Sequence, residues 1–390
     1  MNIIPEIAAN RDELVALRRD IHAHPELAYE EERTASLVAE CLTEWGLEVH
    51  RGLATTGVVG TLSTGDGPAI GLRADMDALP LQETNVFSHR SRYDGKMHAC
   101  GHDGHTVMLL GAARFLAESE EFAGTIRFIF QPAEEAAGGA KVMMDDGLFK
   151  LFPVEAVFGM HNWPGLDVGR FAMRSGAMMA SLDCFDIVIE GRGAHGALPH
   201  QGVDPVHAAA QVVTALQSIV SRNIDPLHAA VVSVTRIHGG DAYNIIPDQV
   251  LLGGGIRCFD RDVRELLKVR VAEVVEGVCI GLGARGAVDF VSGYPAVVNR
   301  PAAVGLAADV AAAIVGTENV DAESDPVLFS EDFAYMLEAK PGCNVLIGNG
   351  AGDGTCMIHN PGYDFNDDVV TLGATYWVNL AQAFLRDPVS

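Results

Sequence analysis

The sequence is poor in basic residues, and this shortage excludes two classes of partner. Among its 390 residues, 27 are Lys or Arg and 52 are Asp or Glu, which gives a formal net charge of −25 at pH 7. Nucleic acids and anionic membrane surfaces are bound mainly through basic patches. We therefore predict that neither nucleic acid nor membrane is among its partners.

Long hydrophobic runs and paired cysteines are also missing. The first residues, MNIIPEIAANRDELVALRRDIHAHPE, carry acids and arginines throughout and contain no apolar run long enough for a secretion signal or a membrane span. The seven cysteines are scattered without paired spacing, so a disulfide framework is not expected. These features predict a soluble protein of the cytoplasm.

Apolar sequence is plentiful enough for two domains. Hydrophobic residues make up 48% of the chain, and its 390 residues exceed the length at which a single core usually stops growing. Short apolar runs such as GVVGTL, AIGLRADMD and GTIRFIFQ alternate with helical patterns before residue 180 and again after residue 300. This alternation is typical of an α/β domain with a mostly parallel sheet flanked by helices.

The middle of the chain has a different pattern. From Ser181 onward the order is strand, helix, strand, strand, helix and strand, with Asp204 and Pro205 opening the first helix. The order β-α-β-β-α-β is typical of an α+β ferredoxin-like domain. We therefore predict an α/β domain of residues 1–180 and 293–390, interrupted by an inserted domain at residues 181–292.

The stretch MHACGHDGHT, residues 97–106, contains three histidines and a cysteine. One glycine separates Cys100 from His102, so in an extended backbone both side chains would point to the same side and could share a metal. A helix is predicted to start near Thr106 with Asp103 as its N-cap, and a helix N-terminus or a cation would favour the thiolate. A polar loop with a buried thiol remains the alternative for this stretch alone.

Three further segments each place a possible ligand after an apolar run. These are FIFQPAEE with Glu134 and Glu135, VFGMHNWP with His161, and CMIHNPGYDFND with His359. Open α/β sheets collect functional groups at the carboxyl ends of their strands, so these side chains are expected to converge. One thiolate, three imidazoles and one carboxylate suffice for two divalent cations that share ligands and leave positions open for water.

The two glutamates are expected to have different roles. Adjacent side chains of one segment tend to diverge, so one of Glu134 and Glu135 can bind metal while the other takes a proton from metal-bound water. A solvated pair on the surface is the usual alternative. Here the aromatic-rich strand before the pair and Gly138-Gly139 after it favour a buried approach.

Seven motifs occur in order over nearly the whole chain: GLRADMDALPLQE, MHACGHDGHT, FQPAEE, FGMHNWPG, GRGAHGALPH, AYNIIPD and HNPGYDFND. They closely resemble the motifs of the aminoacylase and carboxypeptidase metallopeptidases, metallopeptidase family twenty. The branch with the strongest resemblance holds bacterial hippurate hydrolases, N-acyl-amino-acid amidohydrolases and plant auxin-conjugate hydrolases.

The resemblance implies a dinuclear metal site. Its implied ligands are Cys100, His102, Glu135, His161 and His359. Glu134 is implied as the base, and Asp75 matches an acidic residue that orients a ligand near the metals. Arg73 stands where more distant relatives have a metal-binding histidine. The resemblance implies two divalent cations per subunit, and a set of Cys, His and carboxylate admits zinc, manganese, cobalt or nickel.

The inserted domain carries the other implied site residues. His195 resembles the family histidine that reaches across a dimer to polarise the scissile carbonyl, and Asn244 and Arg257 match positions near the substrate carboxylate. Without the resemblance, His195 would be interpreted as a surface residue, because a lone histidine in a glycine-rich loop usually lies at the surface. The resemblance also implies a homodimer formed through the inserted domain, and a tetramer remains open.

The predicted function is hydrolysis of the amide bond of N-acyl amino acids, of hippurate or N-acetyl type, by a metal-activated water with Glu134 as general acid and base. A dipeptidase or carboxypeptidase of the same family is the first alternative. A non-catalytic protein with a structural metal is the second and is disfavoured. Structural zinc sites fill four positions with clustered Cys and His, whereas these ligands span about 260 residues and include a carboxylate.

Overall fold

The computed structural model describes residues 1–350 and 356–388. The strands are β1 Glu48–Leu53, β2 Gly57–Thr64, β3 Ala69–Asp75, β4 Gly124–Gln131, β5 Ala156–Pro164, β6 Phe171–Ala172, β7 Gly176–Met179, β8 Ser181–Glu190, β9 Ala194–His195, β10 Ala230–His238, β11 Ile245–Ile246, β12 Gln249–Cys258, β13 Arg285–Tyr294, β14 Val297–Asn299, β15 Val320–Asp321 and β16 Gly342–Gly350.

The α-helices vary from one turn to about six turns in length. They are α1 Pro5–Ala9, α2 Arg11–Ala23, α3 Glu32–Glu44, α4 His102–Ser119, α5 Glu134–Ala137, α6 Gly139–Asp145, α7 Leu148–Leu151, α8 Pro205–Asn223, α9 Arg261–Gly281, α10 Pro301–Val315, α11 Ala334–Ala339 and α12 Val370–Arg386. Within the described ranges, no helix combines the length and the apolar character needed to cross a bilayer.

The chain separates into two compact units. The larger unit comprises Met1–Met178, Val298–Asp325 and Asp332–Ser390, and the inserted unit comprises Met179–Val297 and Pro326–Glu331. The inserted unit starts two residues before the predicted insert of residues 181–292 and ends five residues after it. It also includes a second, short segment that the sequence did not indicate.

Main-chain and side-chain hydrogen bonds hold that short segment, residues 326–331, to the inserted unit. The N–H of Ala180 donates to the carbonyl oxygen of Val327 at 3.1 Å. The guanidinium of Arg257 donates from Nη1 to the carbonyl oxygen of Leu328 at 2.6 Å. These bonds involve backbone carbonyls, which every residue type has. No sequence pattern therefore predicts them.

The larger unit contains an eight-stranded sheet with the order β1-β2-β4-β3-β5-β16-β6-β15. Its centre is parallel, because β3 pairs in parallel with β4 and β5, and β5 with β16. Antiparallel pairs flank the centre, β1 with β2 and β2 with β4 on one side and β16 with β6 on the other. β5 and β16 are buried almost throughout, as expected of parallel strands covered on both faces. This confirms the predicted α/β class.

Helix α4 packs against α2, α12 and β3 and is buried along most of its length. The sequence predicted a start near Thr106 with Asp103 as the N-cap, and this prediction is wrong. The helix starts at His102, because Gly101 adopts a left-handed conformation with φ of 92° and serves as the N-cap. Asp103 therefore lies inside the first turn, where its carboxylate lies 2.8 Å from Nδ1 of His22.

The inserted unit contains a four-stranded antiparallel sheet with the order β10-β12-β8-β13. Helices α8 and α9 pack on each other and on this sheet, around a core that includes Phe185, Leu216 and Leu267. Asp204 and Asp260 cap the two helices by accepting backbone N–H groups of the first turn. The order β-α-β-β-α-β confirms the predicted ferredoxin-like insert.

Candidate metal centre

The site residues of the larger unit gather at one edge of its sheet. Asp75 ends β3, Glu134 and Glu135 follow β4, and His161 lies near the end of β5. Because β3, β4 and β5 are parallel, their carboxyl ends share one edge. His102 reaches the same place from the first position of α4.

The five side chains predicted as ligands come together in two overlapping groups. Cys100, His102 and His161 offer ligand atoms that all lie within 4.8 Å of one another, and Cys100, Glu135 and His359 do the same. The Sγ atom of Cys100 is 3.4 Å from Nε2 of His161, and Nε2 of His359 is 3.0 Å from Oε1 of Glu135. Because Cys100 belongs to both groups, the groups adjoin each other.

Two buried atoms in these groups show whether the site suits a cation. Nε2 of His102 and Oε1 of Glu135 have no hydrogen-bond partner among the described residues. His359 lies close to that oxygen, but the contact lacks hydrogen-bond geometry. A buried polar atom without a partner costs about 1–3 kcal/mol. A divalent cation would accept a lone pair from each atom, so the residues present fit such an ion.

Asp77 fixes the orientation of the His102 ring. Nδ1 of His102 lies 2.9 Å from the backbone oxygen of Asp77 and 3.2 Å from its Oδ1, so Nδ1 donates its proton there and Nε2 faces the cluster. A carboxylate behind a histidine sets ring orientation in metal sites in this way. Burial opposes a charge on the ring, but Asp75, Asp77 and Glu135 raise the pKa of His102 to about 10. A cation would take the place of the second proton.

Cys100 and His161 are held in their uncharged forms. Burial, reinforced by the charges of Glu135 and Glu134, raises the pKa of the Cys100 thiol well above its usual value. Burial and the neighbouring His105 hold the pKa of His161 well below the usual histidine value. A neutral imidazole can bind metal directly, whereas the thiol must lose its proton when a cation enters.

Asp75 lies behind the cluster and bonds to two side chains outside the ligand set. Its Oδ2 accepts from Nη1 of Arg73 at 2.8 Å, and its Oδ1 lies 2.6 Å from Nδ1 of His105. The same Oδ2 is 3.6 Å from Nε2 of His102. Arg73 also donates to Oδ1 of Asp332 at 3.1 Å, so at this position a guanidinium bridges two buried carboxylates.

Asn162 links three of the segments that carry ligands, and sequence analysis missed it. Its Nδ2 donates to the backbone oxygen of Cys100 at 2.6 Å, and its Oδ1 accepts from the hydroxyl of Tyr363 at 2.6 Å. Asn162 directly follows His161, and Tyr363 lies four residues after His359. The one sequence feature that pointed to Asn162 was its place beside a predicted ligand.

No side chain fits at Gly101, between Cys100 and His102. An added Cβ would lie 2.3 Å from Nδ2 of Asn162 and 2.6 Å from the hydroxyl of Tyr363, and φ is +92°. Cys100 and His102 were predicted to face one side from an extended backbone, and that local structure is wrong. A left-handed glycine turn brings both to the cluster instead.

His359 reaches the cluster from a turn and not from a strand end, contrary to the prediction. Residues 356–358 form no strand, and His359 itself has a φ of +63°. Its N–H donates to the backbone oxygen of Ala99 at 2.7 Å, which fixes its position. Its side chain is 49% exposed, whereas that of Glu135 is 7% exposed. His359 is therefore the most open member of the cluster.

Glu134 and Glu135 make different contacts, as the sequence suggested. Oε1 of Glu134 accepts from the backbone N–H of Asp332 at 3.3 Å, and Glu134 is buried. The backbone N–H of Glu135 donates to Oδ2 of Asp77 at 2.9 Å, while its carboxylate approaches His359.

In the inserted unit, His195 and Asn244 lie side by side. β9 pairs with β11 so that His195 is opposite Ile245, and the N–H of Gly196 donates to the backbone oxygen of Asn244 at 2.7 Å. Both His195 and Asn244 are exposed. The two-stranded ribbon thus presents an imidazole and an amide next to each other.

Arg257 lies on β12 of the inserted unit and is partly buried. Its Nη1 donates to the backbone oxygen of Leu328 at 2.6 Å and to the hydroxyl of Ser330 at 2.9 Å. The guanidinium therefore has a fixed orientation, set by the segment of residues 326–331.

Comparison with known proteins identifies the family. The model of peptidase family M20/M25/M40 matches residues 71–383. The chain belongs to this family. A hippurate hydrolase of Campylobacter jejuni is 42% identical over 387 residues, which cover 99% of this chain and 100% of that protein. An N-acetyl-L-cysteine deacetylase of Bacillus subtilis is 41% identical over 368 residues, which cover 94% of this chain and 86% of that protein.

A crystal structure of an M20 relative is similar over nearly the whole chain. It is a dinuclear metal-binding peptidase from Bacillus subtilis with 36% sequence identity and a TM-score of 0.83, covering 97% of this chain and 99% of its own. Membership of the M20 family confirms the predicted resemblance and the predicted class, a hydrolase of amide bonds. The larger unit of this chain contains groups of side chains that could hold metal ions.

Proposed function

We propose that this M20 family member hydrolyses the amide bond of N-acyl amino acids of the hippurate or N-acetyl type. The convergence of five ligand side chains beside Glu134 carries the proposal. The hippurate hydrolase and the N-acetyl-L-cysteine deacetylase, both above 40% identity, support the substrate class.

Two divalent cations per subunit are proposed for the two overlapping groups. The residues that would hold them are Cys100, His102, Glu135, His161 and His359. Zinc, manganese, cobalt and nickel all suit a set of this composition. Bound at such a site, divalent cations supply a water of lowered pKa and polarise the amide carbonyl.

Glu134 is the proposed general base and general acid. Its carboxylate is buried and is held by the backbone N–H of Asp332, so it is oriented before substrate arrives. It takes a proton from the attacking water and then returns that proton to the leaving nitrogen. Asp75 is proposed to act beside the ligands: its Oδ1 orients His105 through Nδ1 at 2.6 Å, and its Oδ2, 3.6 Å from Nε2 of His102, adds negative charge where a cation would bind.

The inserted unit is proposed to supply His195, Asn244 and Arg257. His195 donates a hydrogen bond to the carbonyl oxygen as negative charge develops there, and one such donor typically contributes a factor of about 10²–10³ in rate. Asn244 and Arg257 bind the substrate carboxylate through their N–H groups. The ribbon that places His195 beside Asn244 supports a shared task for these two residues.

A homodimer through the inserted unit is the proposed assembly. β10 lies at an edge of the four-stranded sheet and, among the described residues, pairs with β12 alone. An unpaired edge is a template for another strand, and a two-fold axis would pair β10 with its copy. In such a dimer His195 acts at the partner's site.

The test combines elemental analysis with a substrate panel. We expect two divalent cations per chain, hydrolysis of hippurate or N-acetyl amino acids, loss of activity on chelation and recovery when zinc or manganese is restored. Preference for unblocked dipeptides would identify a dipeptidase or carboxypeptidase instead. Full metal occupancy without hydrolysis of any of these compounds would favour a structural metal.

A further inference from the structure

The turn that carries Glu134 and Glu135 begins with a strained residue. Ala133, directly before the pair, has φ of 58° and ψ of 41°, in the left-handed region. A residue other than glycine pays about 1–2 kcal/mol there, and such a conformation persists only where its surroundings enforce it. Ala133 is fully buried, so water cannot bind its main chain.

Glu31 supplies the hydrogen-bond partner for the N–H of Ala133. Its Oε1 accepts that N–H at 2.9 Å, and its Oε2 accepts from the hydroxyl of Thr56 at 2.7 Å. Glu31 lies 102 residues before Ala133, just ahead of α3, and is fully buried. Thr56 lies between β1 and β2 and anchors the far side of the carboxyl group.

Burial makes a carboxyl group at this position costly. Burial, together with the charge of Asp77, raises the pKa of Glu31 to about 7, although the bonds from Thr56 and Ala133 lower it. A leucine of similar size would avoid that cost but would leave the buried N–H of Ala133 and the hydroxyl of Thr56 without an acceptor. The donors that the carboxyl group satisfies, with Ala133 among them, therefore explain its presence.

Two other carboxylates bind the same turn further along. Oδ2 of Asp77 accepts from the N–H of Glu135 at 2.9 Å, and Oδ2 of Asp332 accepts from the N–H of Ala140 at 2.8 Å. Each of them contacts a second group at the centre, His102 for Asp77 and Arg73 for Asp332. Glu31 alone of the three holds the strained residue.

We propose that Glu31 is a positioning residue, which accepts the N–H of Ala133 and thereby fixes the turn that directs Glu134 and Glu135. Without this acceptor, Ala133 relaxes towards a negative φ, and the carboxylate of Glu134 moves from its place. Displacement of a reacting group by about 1 Å can cost on the order of 100-fold in rate. The kinetic consequence rests on the proposed function, but the structural consequence does not.

Two substitutions of Glu31 test the proposal. Glu31→Leu removes the acceptor at similar size, and Glu31→Gln keeps an acceptor for Ala133 and a donor for Thr56. In the metal-loaded protein, hydrogen–deuterium exchange of residues 132–140 should be about tenfold faster in Glu31→Leu. Its kcat for hippurate should fall on the order of 10- to 100-fold, with KM within about threefold of wild type. Glu31→Gln should restore most of both properties.

Relief of strain gives a second readout, which a merely structural role would not move. Glycine adopts the left-handed conformation without penalty, so Ala133→Gly should recover part of the lost kcat in the Glu31→Leu background. If Glu31→Leu does not fold, Thr56→Val loosens the same carboxyl group and should change the exchange of residues 132–140 in the same direction, but less.

Glu26→Leu is the matched control. Glu26 accepts the backbone N–H groups of Arg33 and Thr34 at 2.9 and 2.8 Å, at the start of α3. Its loss should lower the unfolding temperature without changing exchange at residues 132–140 or kcat. Unchanged exchange in Glu31→Leu, or equal changes in Glu26→Leu, overturns the proposal. If the metal-loaded wild type hydrolyses no N-acyl amino acid, the proposed function fails, and the exchange measurement still decides the role of Glu31.

Discussion

The proposed site residues of the larger unit and of the inserted unit lie in opposite environments. Cys100, His102 and His161 are buried, and neighbouring side chains set their geometry. His195 and Asn244 are exposed on a short ribbon that main-chain hydrogen bonds hold together. The first group is organised by contacts within the chain, whereas the side chains of the second group have no comparable packing around them.

The difference follows from desolvation. A buried polar group must find partners within the protein, since it has lost water. The buried ligands therefore require a layer of supporting residues, which includes Asp77 and Asn162. Exposed residues carry no such requirement. Substitutions of the proposed ligands and of the residues that support them should then affect metal binding as well as rate, and those on the ribbon should affect rate alone.

The largest effect is expected from Glu134→Gln. An amide cannot accept the proton of water, so kcat for an N-acyl amino acid should fall by about 10²–10⁴-fold. Metal content by elemental analysis should match the wild type, because Glu134 is proposed as the base and not as a ligand. Glu135→Gln is the control and should lose metal together with activity. Near-normal turnover in Glu134→Gln would show that another group is the base.

His195→Ala should lower kcat by about 100-fold and leave the unfolding temperature unchanged, because the side chain is exposed. In an equal mixture with Glu134→Gln, half of the reassorted dimers have one intact site, so about a quarter of wild-type activity should return. His200→Ala, an exposed histidine of the same loop, is the control and should retain activity. Mixed dimers verified by native mass spectrometry that stay inactive would exclude action across the dimer.

Tyr363→Phe should weaken metal binding by about 10-fold, the lower end of the usual effect of residues behind the ligands. The variant loses the hydroxyl that holds Oδ1 of Asn162. Tyr376→Phe is the matched control, since the buried hydroxyl of Tyr376 has no hydrogen-bond partner among the described residues. Competition with a chelator measures both affinities. Equal affinities in the two variants would remove Asn162 and Tyr363 from the supporting layer.

Glu31→Gln should have the smallest effect on turnover but should change the pH dependence of stability. The folded-state pKa of about 7 exceeds the ordinary 4.5, so the carboxyl group lowers the free energy of unfolding as pH rises from 4.5 to 7. A shift of this size corresponds to about 3 kcal/mol. Urea denaturation of the metal-free protein at about pH 5 and about pH 8 measures this loss, which should be smaller in the variant. An identical loss in both proteins would contradict the assignment.

The sequence predicted the fold well where the determinants are local. Periodicity and turn residues gave the α/β alternation, and Asp204 followed by Pro205 marked the start of α8 correctly. The segment of residues 326–331 escaped prediction because its bonds to the inserted unit involve backbone carbonyls. The start of α4 escaped because it depends on the left-handed turn at Gly101, where Asn162 and Tyr363, distant in sequence, leave no room for a side chain.

The candidate ligands could be selected from residue types, but the residues that support them could not. Cysteine, histidine and glutamate after apolar runs indicate metal ligands wherever they lie. Asn162 and Tyr363 are 201 residues apart, and Glu31 and Ala133 are 102 apart. Asparagine, tyrosine and a glutamate ahead of a helix are common residues without a characteristic spacing, so only the folded chain shows these pairs.

The bonds of Asn162 join residues that are synthesised at different times. Cys100 and Asn162 leave the ribosome early, while Tyr363 emerges only after the whole inserted unit has been synthesised. A cation captured before residues 359–363 are synthesised would be held by an incomplete set of the proposed donors, so tight binding would have to await that segment. Loss of the segment that contains His359 and Tyr363 would then weaken the hold on the ion.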